Sequence, residues 1–410
     1  MGSLLVLLLA CSAGEHGANG GTDGGGDGGG DGGTATETGE DERLFREAIE
    51  GRVDAAEALL TIAGRGGLPV RTEAGTTLFG CLCGDGSWAL AGDHEGWVGE
   101  AMTRSGELWW IEVELSDPDG SLYKLVEGGS RWQADPLARR YGYDEYGEHS
   151  LVEASAAHLE RWFQPAARGL AARELRVWVP QDGAFTHALY AHDGQNLFDP
   201  QAIWGGWRLQ DSLPPSMLVV GIDNSADRME EYTHTTDRIH GTTYGGRGDD
   251  YADLVTLEIR PWMEAAYGPA ERTGLMGSSL GGLVSAHIGQ RYAEDWDMVL
   301  SLSGTMGWGS IGSTNPTMPE LWAADPPGLP IYLDSGGSGP CLDDDADGVP
   351  DDDPGALDSY CENVWMAELL AGVGYSWDVD LWHWHEPGAS HNEAAWAERV
   401  WRPLDLFASL

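Results

Sequence analysis

The sequence predicts an α/β fold with a mostly parallel central sheet, preceded by a small antiparallel β-sandwich. Three observations predict it. From about residue 155 onward, short apolar runs alternate with longer amphipathic segments. Between residues 65 and 150, short alternating stretches follow one another with only turn residues between them. The chain of 410 residues is 41% hydrophobic, which is enough to fill two packed cores.

The first element is the run MGSLLVLLLACSAG. It ends in Leu8-Leu9-Ala10-Cys11, and small residues before a cysteine fit a signal-peptidase site. Residues 1–10 are therefore expected to be a signal peptide. Leu-x-Ala-Cys resembles the cleavage motif of bacterial lipoproteins. That resemblance implies a lipid on Cys11 and an exported protein facing the periplasm or the cell surface. Met1-Gly2-Ser3 lacks the basic residue that such leaders carry. An ordinary cleaved leader with an incidental cysteine is the alternative. Residues 11–40 are rich in Gly and Asp and are expected to form a tether; about 30 flexible residues reach roughly 30 Å.

Residues 41–64, DERLFREAIEGRVDAAEALLTIAG, predict a helical hairpin or one helix broken near Gly51. Residues 65–150 then supply the sandwich strands. The stretches WALAGDHEGWVGEAM, GELWWIEVEL, YKLVEGGSRWQADP and ARRYGYDEYGEHS resemble the immunoglobulin-like module that precedes many glycan-active enzymes and esterases. In glycogen-binding relatives of that module, exposed tryptophans stack on sugar rings. Trp88, Trp97 and Trp132 are the candidates here, with the sandwich core as their other destination.

Residues 155–410 carry the α/β pattern. ELRVWVP, HALYAHDG, MLVVGID, RTGLMG, DMVLSLSG and LPIYLDSGG read as strands. DDYADLVTLEIRPWMEAAYG and LGGLVSAHIGQRY read as helices between them. Alternation of this kind covers a parallel sheet on both faces.

Charge and cysteine content narrow the partners. The formal net charge of -44 excludes nucleic acid and an anionic membrane surface. No internal stretch approaches the roughly 18 apolar residues of a membrane span. Contact with a membrane is expected only through a lipid on Cys11. The other cysteines are Cys81, Cys83, Cys341 and Cys361. An even number in an exported chain suggests disulfides. Cys341 and Cys361 bracket one polar insertion and are the expected pair. Cys81 and Cys83 are either a C-x-C bridge or two free buried thiols.

Gly277-Ser278-Ser279-Leu280-Gly281 matches G-x-S-x-G between a predicted strand and a predicted helix. Such a turn lifts a serine hydroxyl above the sheet edge and aims a helix N-terminus at a developing oxyanion. A base must follow, and His391 lies on a loop between the strand WDVDLWHWH and a helix from about Asn392. His383 and His385 alternate with Trp382 and Trp384, face one side of the sheet, and are expected to be structural or to line the pocket.

With these residues in place, residues 174–408 resemble the enterochelin-esterase and esterase-D-like branch of the α/β hydrolases. The matching stretches are YAHDGQNLFDP, VVGIDNSADRMEEYT, GSSLGG and PGASHNEAAWAERVWRPL. The resemblance implies that Ser279 is the nucleophile and His391 the general base. It implies an oxyanion hole from the backbone N–H of Leu280 and one near Gln195. It also implies a signature in Arg228 and Glu231, expected as an ion pair that orders the loop above the site. A serine carboxylic-ester hydrolase follows, acting on a small-molecule or glycan-linked ester with no cofactor for catalysis. Acyl transfer by the same triad and a catalytically silent glycan-binding lipoprotein are the alternatives.

The acid departs from the family pattern. The family places it just after the strand that reads IYLDSGG here, yet Gly336-Gly337-Ser338-Gly339 has no carboxylate in the fourth place. The loop expands instead to PCLDDDADGVPDDDPGALDSYCEN. Asp343 is nearest the expected place and is slightly preferred. Asp358, just before the next helix, is the other candidate, and Asp334 in the strand end is expected to be structural. Asp343, Asp345, Asp347 and Gly348 also spell the first half of a calcium loop, with Asp351 or Asp353 closing it. A structural calcium ion is therefore expected, against the alternative of a solvated acidic loop. If calcium takes Asp343 and Asp345, Asp358 becomes the better acid.

Overall fold

The computed structural model describes residues 34–343, 346–355 and 357–410. The chain divides into two compact units, the first ending at Pro165 and the second beginning at Ala166.

The first unit opens with helices α1 (Thr34–Ile49) and α2 (Ala55–Gly64), separated by a turn at Gly51 with φ 69°. α1 begins inside the stretch expected to be tether. Asp54 caps α2 by accepting the N–H of Glu57 at 2.9 Å. One antiparallel sheet has the order β1 (Val70–Arg71), β2 (Thr76–Cys81), β6 (Leu108–Glu114), β5 (Thr103–Ser105). The second has the order β11 (His158–Gln164), β9 (Arg140–Asp144), β10 (Gly147–Leu151), β7 (Leu122–Glu127), β3 (Trp88–Gly92), β4 (Glu100–Ala101), and β8 (Arg131–Gln133) pairs with β7.

Period-two alternation sorts the side chains of β2. Leu78 joins Phe45, Leu59 and Ile62 under the helices, whereas Phe79 joins Trp88, Leu90, Tyr123 and Leu125 in a second cluster. Trp88 fills that core, but Trp132 is 44% exposed, with the Trp97 ring 6.2 Å away. The unit extends past the expected end at 150, because β11 pairs with β9.

The second unit holds the mostly parallel sheet. Its strands are β12 (Arg173–Val179), β13 (His187–His192), β14 (Met217–Ile222), β17 (Arg272–Ser278), β18 (Met298–Leu302), β19 (Ile331–Ser335) and β20 (Leu381–His385). Their order is β20-β19-β18-β17-β13-β14-β12, and only β12 runs antiparallel to its neighbour β14. β13, β14, β18 and β19 are buried at every position. Strands covered on both faces need such continuous apolar runs. A hairpin of β15 (Thr236–Ile239) and β16 (Thr242–Gly245) stands apart from this sheet.

The helices of the unit are α3 (Arg228–Glu231), α4 (Gly248–Leu254), α5 (Arg260–Tyr267), α6 (Leu280–Arg291), α7 (Met318–Ala324), α8 (Tyr360–Gly372), α9 (Glu393–Arg399) and α10 (Trp401–Ala408). α6 packs tightly because Gly282 has no side chain: a Cβ there would lie 2.4 Å from Ser301 Oγ. Among the described residues no helix is long and apolar enough to cross a membrane.

Both cysteine pairs are bonded, Cys81 to Cys83 and Cys341 to Cys361. Cys11 lies outside the described residues.

Candidate active site

Parallel strands deliver their C-terminal ends to one edge of a sheet, where loops have room to carry chemistry. Ser279 follows β17 directly and precedes α6. Its backbone has φ 56° and ψ -127°, a conformation that costs a non-glycine residue about 1–3 kcal/mol. The turn holds it there. Ser279 donates its N–H to Leu302 O at 3.0 Å, and its carbonyl accepts from Thr305 N at 3.2 Å. Gly277 makes the turn sterically feasible, since a Cβ at that position would lie 2.5 Å from the carbonyl carbon and oxygen of Gly281. Ser279 Oγ lies 3.5 Å from Thr305 Oγ1.

His391 follows β20 on the same edge of the sheet. Its Nδ1 is 2.7 Å from Asp358 Oδ1, and its ring meets the Trp396 ring edge-on at 5.1 Å. Asp358 is buried, with a side-chain exposure of 0%. Its second oxygen, Oδ2, accepts from Gly336 N at 2.6 Å, Ser303 Oγ at 2.9 Å and Arg399 Nη2 at 3.2 Å. One oxygen is thereby occupied three times, and the other is left to the imidazole. Ser303 directly follows Leu302, the acceptor for Ser279, and also accepts from Trp396 Nε1 at 3.1 Å. Contacts therefore run unbroken from Ser279 through the end of β18 to Asp358 and His391.

Asp343, the slightly preferred acid in the sequence, is not in this group. Its carboxylate accepts the N–H groups of Asp347 and Gly348 at 3.1 and 3.2 Å, and it is exposed. The physical reason is that chain distance from β19 does not set the position. Asp358 sits at the far end of the insertion, where Asp352 grips the turn. The Asp352 carboxylate accepts from Asp358 N, Tyr360 N and Cys361 N at 2.9, 3.0 and 2.7 Å.

The expected calcium ligands have the following surroundings. Asp347 accepts from Val349 N at 2.8 Å, and Asp353 accepts from Gly355 N at 2.8 Å. Asp351 pairs through its backbone with Leu342. Asp345 lies outside the described residues. Among the described residues, no three His, Cys, Asp or Glu side chains form a group able to hold a metal ion.

Leu280 is the first residue of α6, so its N–H has no intrahelical acceptor. Gln195 lies in the turn Gly194–Asn196 after β13, and its Oε1 accepts Asn224 N at 3.2 Å. These two turns are neighbours, since a Cβ on Gly281 would stand 3.3 Å from Asp193 Oδ2.

Asp193 is the hub that sequence reasoning missed. Arg228 donates to both its oxygens at 2.7 Å, and Asn224 Nδ2 donates to Oδ1 at 2.6 Å. The expected Arg228–Glu231 pair is therefore replaced by two others. Glu231 is fully buried and takes Arg173 at 3.0 and 3.2 Å. The two residues stand on one short helix, but one faces the turn after β13 and the other faces the interior. The Asp in AHDG and the Arg in WAERVW are the only sequence signals for Asp193 and Arg399.

Other titratable groups nearby are fixed. Burial pushes His192 down to about 3, and its Nδ1 is 3.0 Å from Tyr251 Oη. Burial pushes His383 down to about 4, with His385 adding to the effect. His383 bonds Ser335 Oγ at 3.0 Å, and His385 Nε2 donates to Gly337 O at 3.0 Å while its ring stacks on Tyr360 at 4.0 Å. Both face α8, as the alternation along β20 requires. Asp334 holds Arg399 at 3.1 Å, and burial pushes it up to about 6 despite that partner.

Residues 172–401 match the model of the Esterase family, described as "Putative esterase". The uncharacterized protein YbbA of Bacillus subtilis (strain 168) is 29% identical over 136 residues, covering 31% of this chain and 53% of that protein. The chain thus spans about half the length of that curated relative. Among solved structures, the enterobactin esterase FES from Shigella flexneri with enterobactin covers 82% of this chain and 93% of its own at 16% identity, TM-score 0.45. An IroE-like serine hydrolase from Shewanella oneidensis covers 61% and 80% at 19% identity, TM-score 0.47. The siderophore hydrolase EstA from Aspergillus nidulans covers 60% and 94% at 17% identity, TM-score 0.45.

Proposed function

This chain belongs to the Esterase family, and on that premise we propose that it is a serine carboxylic-ester hydrolase working through Ser279, His391 and Asp358. One observation carries the reading. A serine held at φ 56° between a strand and a helix shares a sheet edge with a histidine bonded at 2.7 Å to a buried carboxylate.

A free serine hydroxyl is a weak nucleophile at neutral pH. His391 Nε2 accepts the Ser279 proton as Oγ bonds to the ester carbonyl carbon. Asp358 holds the other imidazole proton on Nδ1 and stabilises the imidazolium that forms. The carbonyl electron pair moves onto oxygen, where the N–H groups of Leu280 and Gln195 receive it. Such donors are worth about 2.7–4 kcal/mol each in known cases. The tetrahedral centre collapses, the C–O bond to the alcohol breaks, and His391 returns its proton to the departing alcohol. Water then attacks the acyl-enzyme by the same route and releases the acid.

We place the protein outside the cytoplasm, anchored through Cys11 and acting on a small-molecule or glycan-linked ester. Two bonded cysteine pairs support an oxidising compartment.

The test is Ser279→Ala assayed with p-nitrophenyl acetate, alongside fluorophosphonate labelling of the unmodified protein. Triad members act as a unit, so the substitution is expected to remove about 10⁴-fold or more of kcat with the fold retained. Turnover within tenfold of the unmodified enzyme, or a label on another residue, would overturn the assignment.

A further inference from the structure

Arg399 is 2% exposed and stands between two buried carboxylates. Its Nε donates to Asp334 Oδ1 at 3.1 Å, and its Nη2 donates to Asp358 Oδ2 at 3.2 Å and to Ser303 Oγ at 2.7 Å. Its Nη1 reaches Ala395 O at 3.4 Å. Two carboxylates thus share a single guanidinium in a buried site. A buried carboxyl without a counter-ion takes up a proton, and an opposite charge within a few ångströms opposes this. The balance is close, since Asp334 is pushed up to about 6 even with Arg399 beside it.

We propose that Arg399 is a positioning residue for the triad. It holds Oδ2 away from the imidazole, so that Oδ1 alone receives His391 Nδ1–H. The proposal rests on the reading of Ser279, His391 and Asp358 given above. Arg399 stands behind the acid and acts on the chemistry only through Asp358.

Other groups also face this cluster. Tyr332 Oη donates to Asp334 Oδ2 at 3.4 Å from β19, and Arg402 of α10 acts on Tyr332. Asp352 accepts Asp358 N, and Glu393 of α9 interacts with His391. None of them replaces Arg399 as a cation in direct contact with Asp358.

A purely structural role would be an ion pair that pins α9 to β19. The two roles separate in opposite-sign pH shifts and in a rescue. Arg399→Met takes a positive charge away from beside the Asp358–His391 pair. Arg399→Met should therefore displace the acid limb of kcat/KM upward by about one pH unit or more. Activity at neutral pH should fall on the order of 100-fold with KM little changed, because Arg399 does not reach the substrate. Asp334→Asn removes the competing carboxylate and should displace the limb downward. The double variant Arg399→Met/Asp334→Asn should recover at least about tenfold over Arg399→Met. Arg399→Lys keeps a cation and should fall between the unmodified enzyme and Arg399→Met.

An unmoved acid limb in Arg399→Met and Arg399→Lys overturns the proposal. So does a double variant no better than Arg399→Met. If Arg399→Met does not fold, the downward shift in Asp334→Asn and the profile of Arg399→Lys decide. Ser279→Ala runs in parallel. Full activity there removes the triad reading itself, whereas an inactive Ser279→Ala with unmoved limbs removes only the role of Arg399.

Discussion

Asp358→Asn separates the two candidate acids, and its effect follows from the bond pattern. Asp358 Oδ2 receives three donors, from Gly336, Ser303 and Arg399. An asparagine must give its single oxygen to those donors, because an NH₂ there would face three N–H or O–H groups. Its NH₂ then points at His391 Nδ1. The imidazole must answer with a lone pair on Nδ1, which puts the proton on Nε2. In that tautomer His391 cannot accept the Ser279 proton. The same replacement in a well-studied serine triad costs about 10⁴ in kcat, roughly 5.5 kcal/mol of barrier.

Arg399 keeps Asp334 in the variant, so the fold should survive. Asp343→Asn is the matched control. Asp343 is exposed and serves two backbone N–H groups, and surface replacements of this kind stay within about 0.5 kcal/mol. The assay is kcat for p-nitrophenyl acetate, with near-ultraviolet circular dichroism to confirm packing. Asp358→Asn retaining more than a tenth of the activity, or Asp343→Asn losing more than Asp358→Asn, refutes the reasoning.

Gly277→Ala tests the turn. The new Cβ, 2.5 Å from the Gly281 carbonyl, must push the strand end from the helix start. A displacement of about 1 Å at the reacting atoms costs on the order of 100-fold in kcat; unchanged kcat with native circular dichroism would show that the elbow tolerates the methyl group. Cys11→Ser tests the anchor: expressed in a Gram-negative host, the protein should move from the membrane to the soluble fraction, and equal partitioning of both forms counts against lipidation.

Much of the second unit was legible because its strands are buried on both faces. MLVVGI, MVLSL and IYLDS admit little but strand once helices flank them, and each is a strand here. The places of Ser279 and His391 at the sheet edge were legible because each is tied to an element boundary that the sequence marks. Asp193, Ser303 and Arg399 were not legible. Their importance comes from partners 35, 55 and 65 residues away, and no local pattern encodes such separations. The Arg228–Glu231 expectation failed for a related reason. Adjacency on a helix permits a pair, but Asp193 and Arg173 offered both residues more buried partners.

Asp358 shows how a long insertion can hold a buried carboxylate in place. The gap between β19 and α8 is residues 336–359, where the family's turn is short. Each doubling of a flexible loop costs only about 0.6 kcal/mol, so lengthening the turn two to three doublings costs about 1–2 kcal/mol. The Cys341–Cys361 bond spans a separation of 20 residues, and a closure of that size offsets about 3 kcal/mol by chain entropy. The insertion is thus affordable in stability, but a closed loop is not by itself a fixed acid. Three further constraints act on Asp358. Asp352 grips its backbone and the next turn through three N–H groups. α8 begins two residues later and is tied to the disulfide by Cys361. Arg399, Ser303 and Gly336 fix its outer oxygen. The carboxylate is therefore located by Asp352, by the start of α8 and by β18, β19 and α9, whereas Asp343, Asp347 and Asp353 bond backbone N–H groups of their own loop.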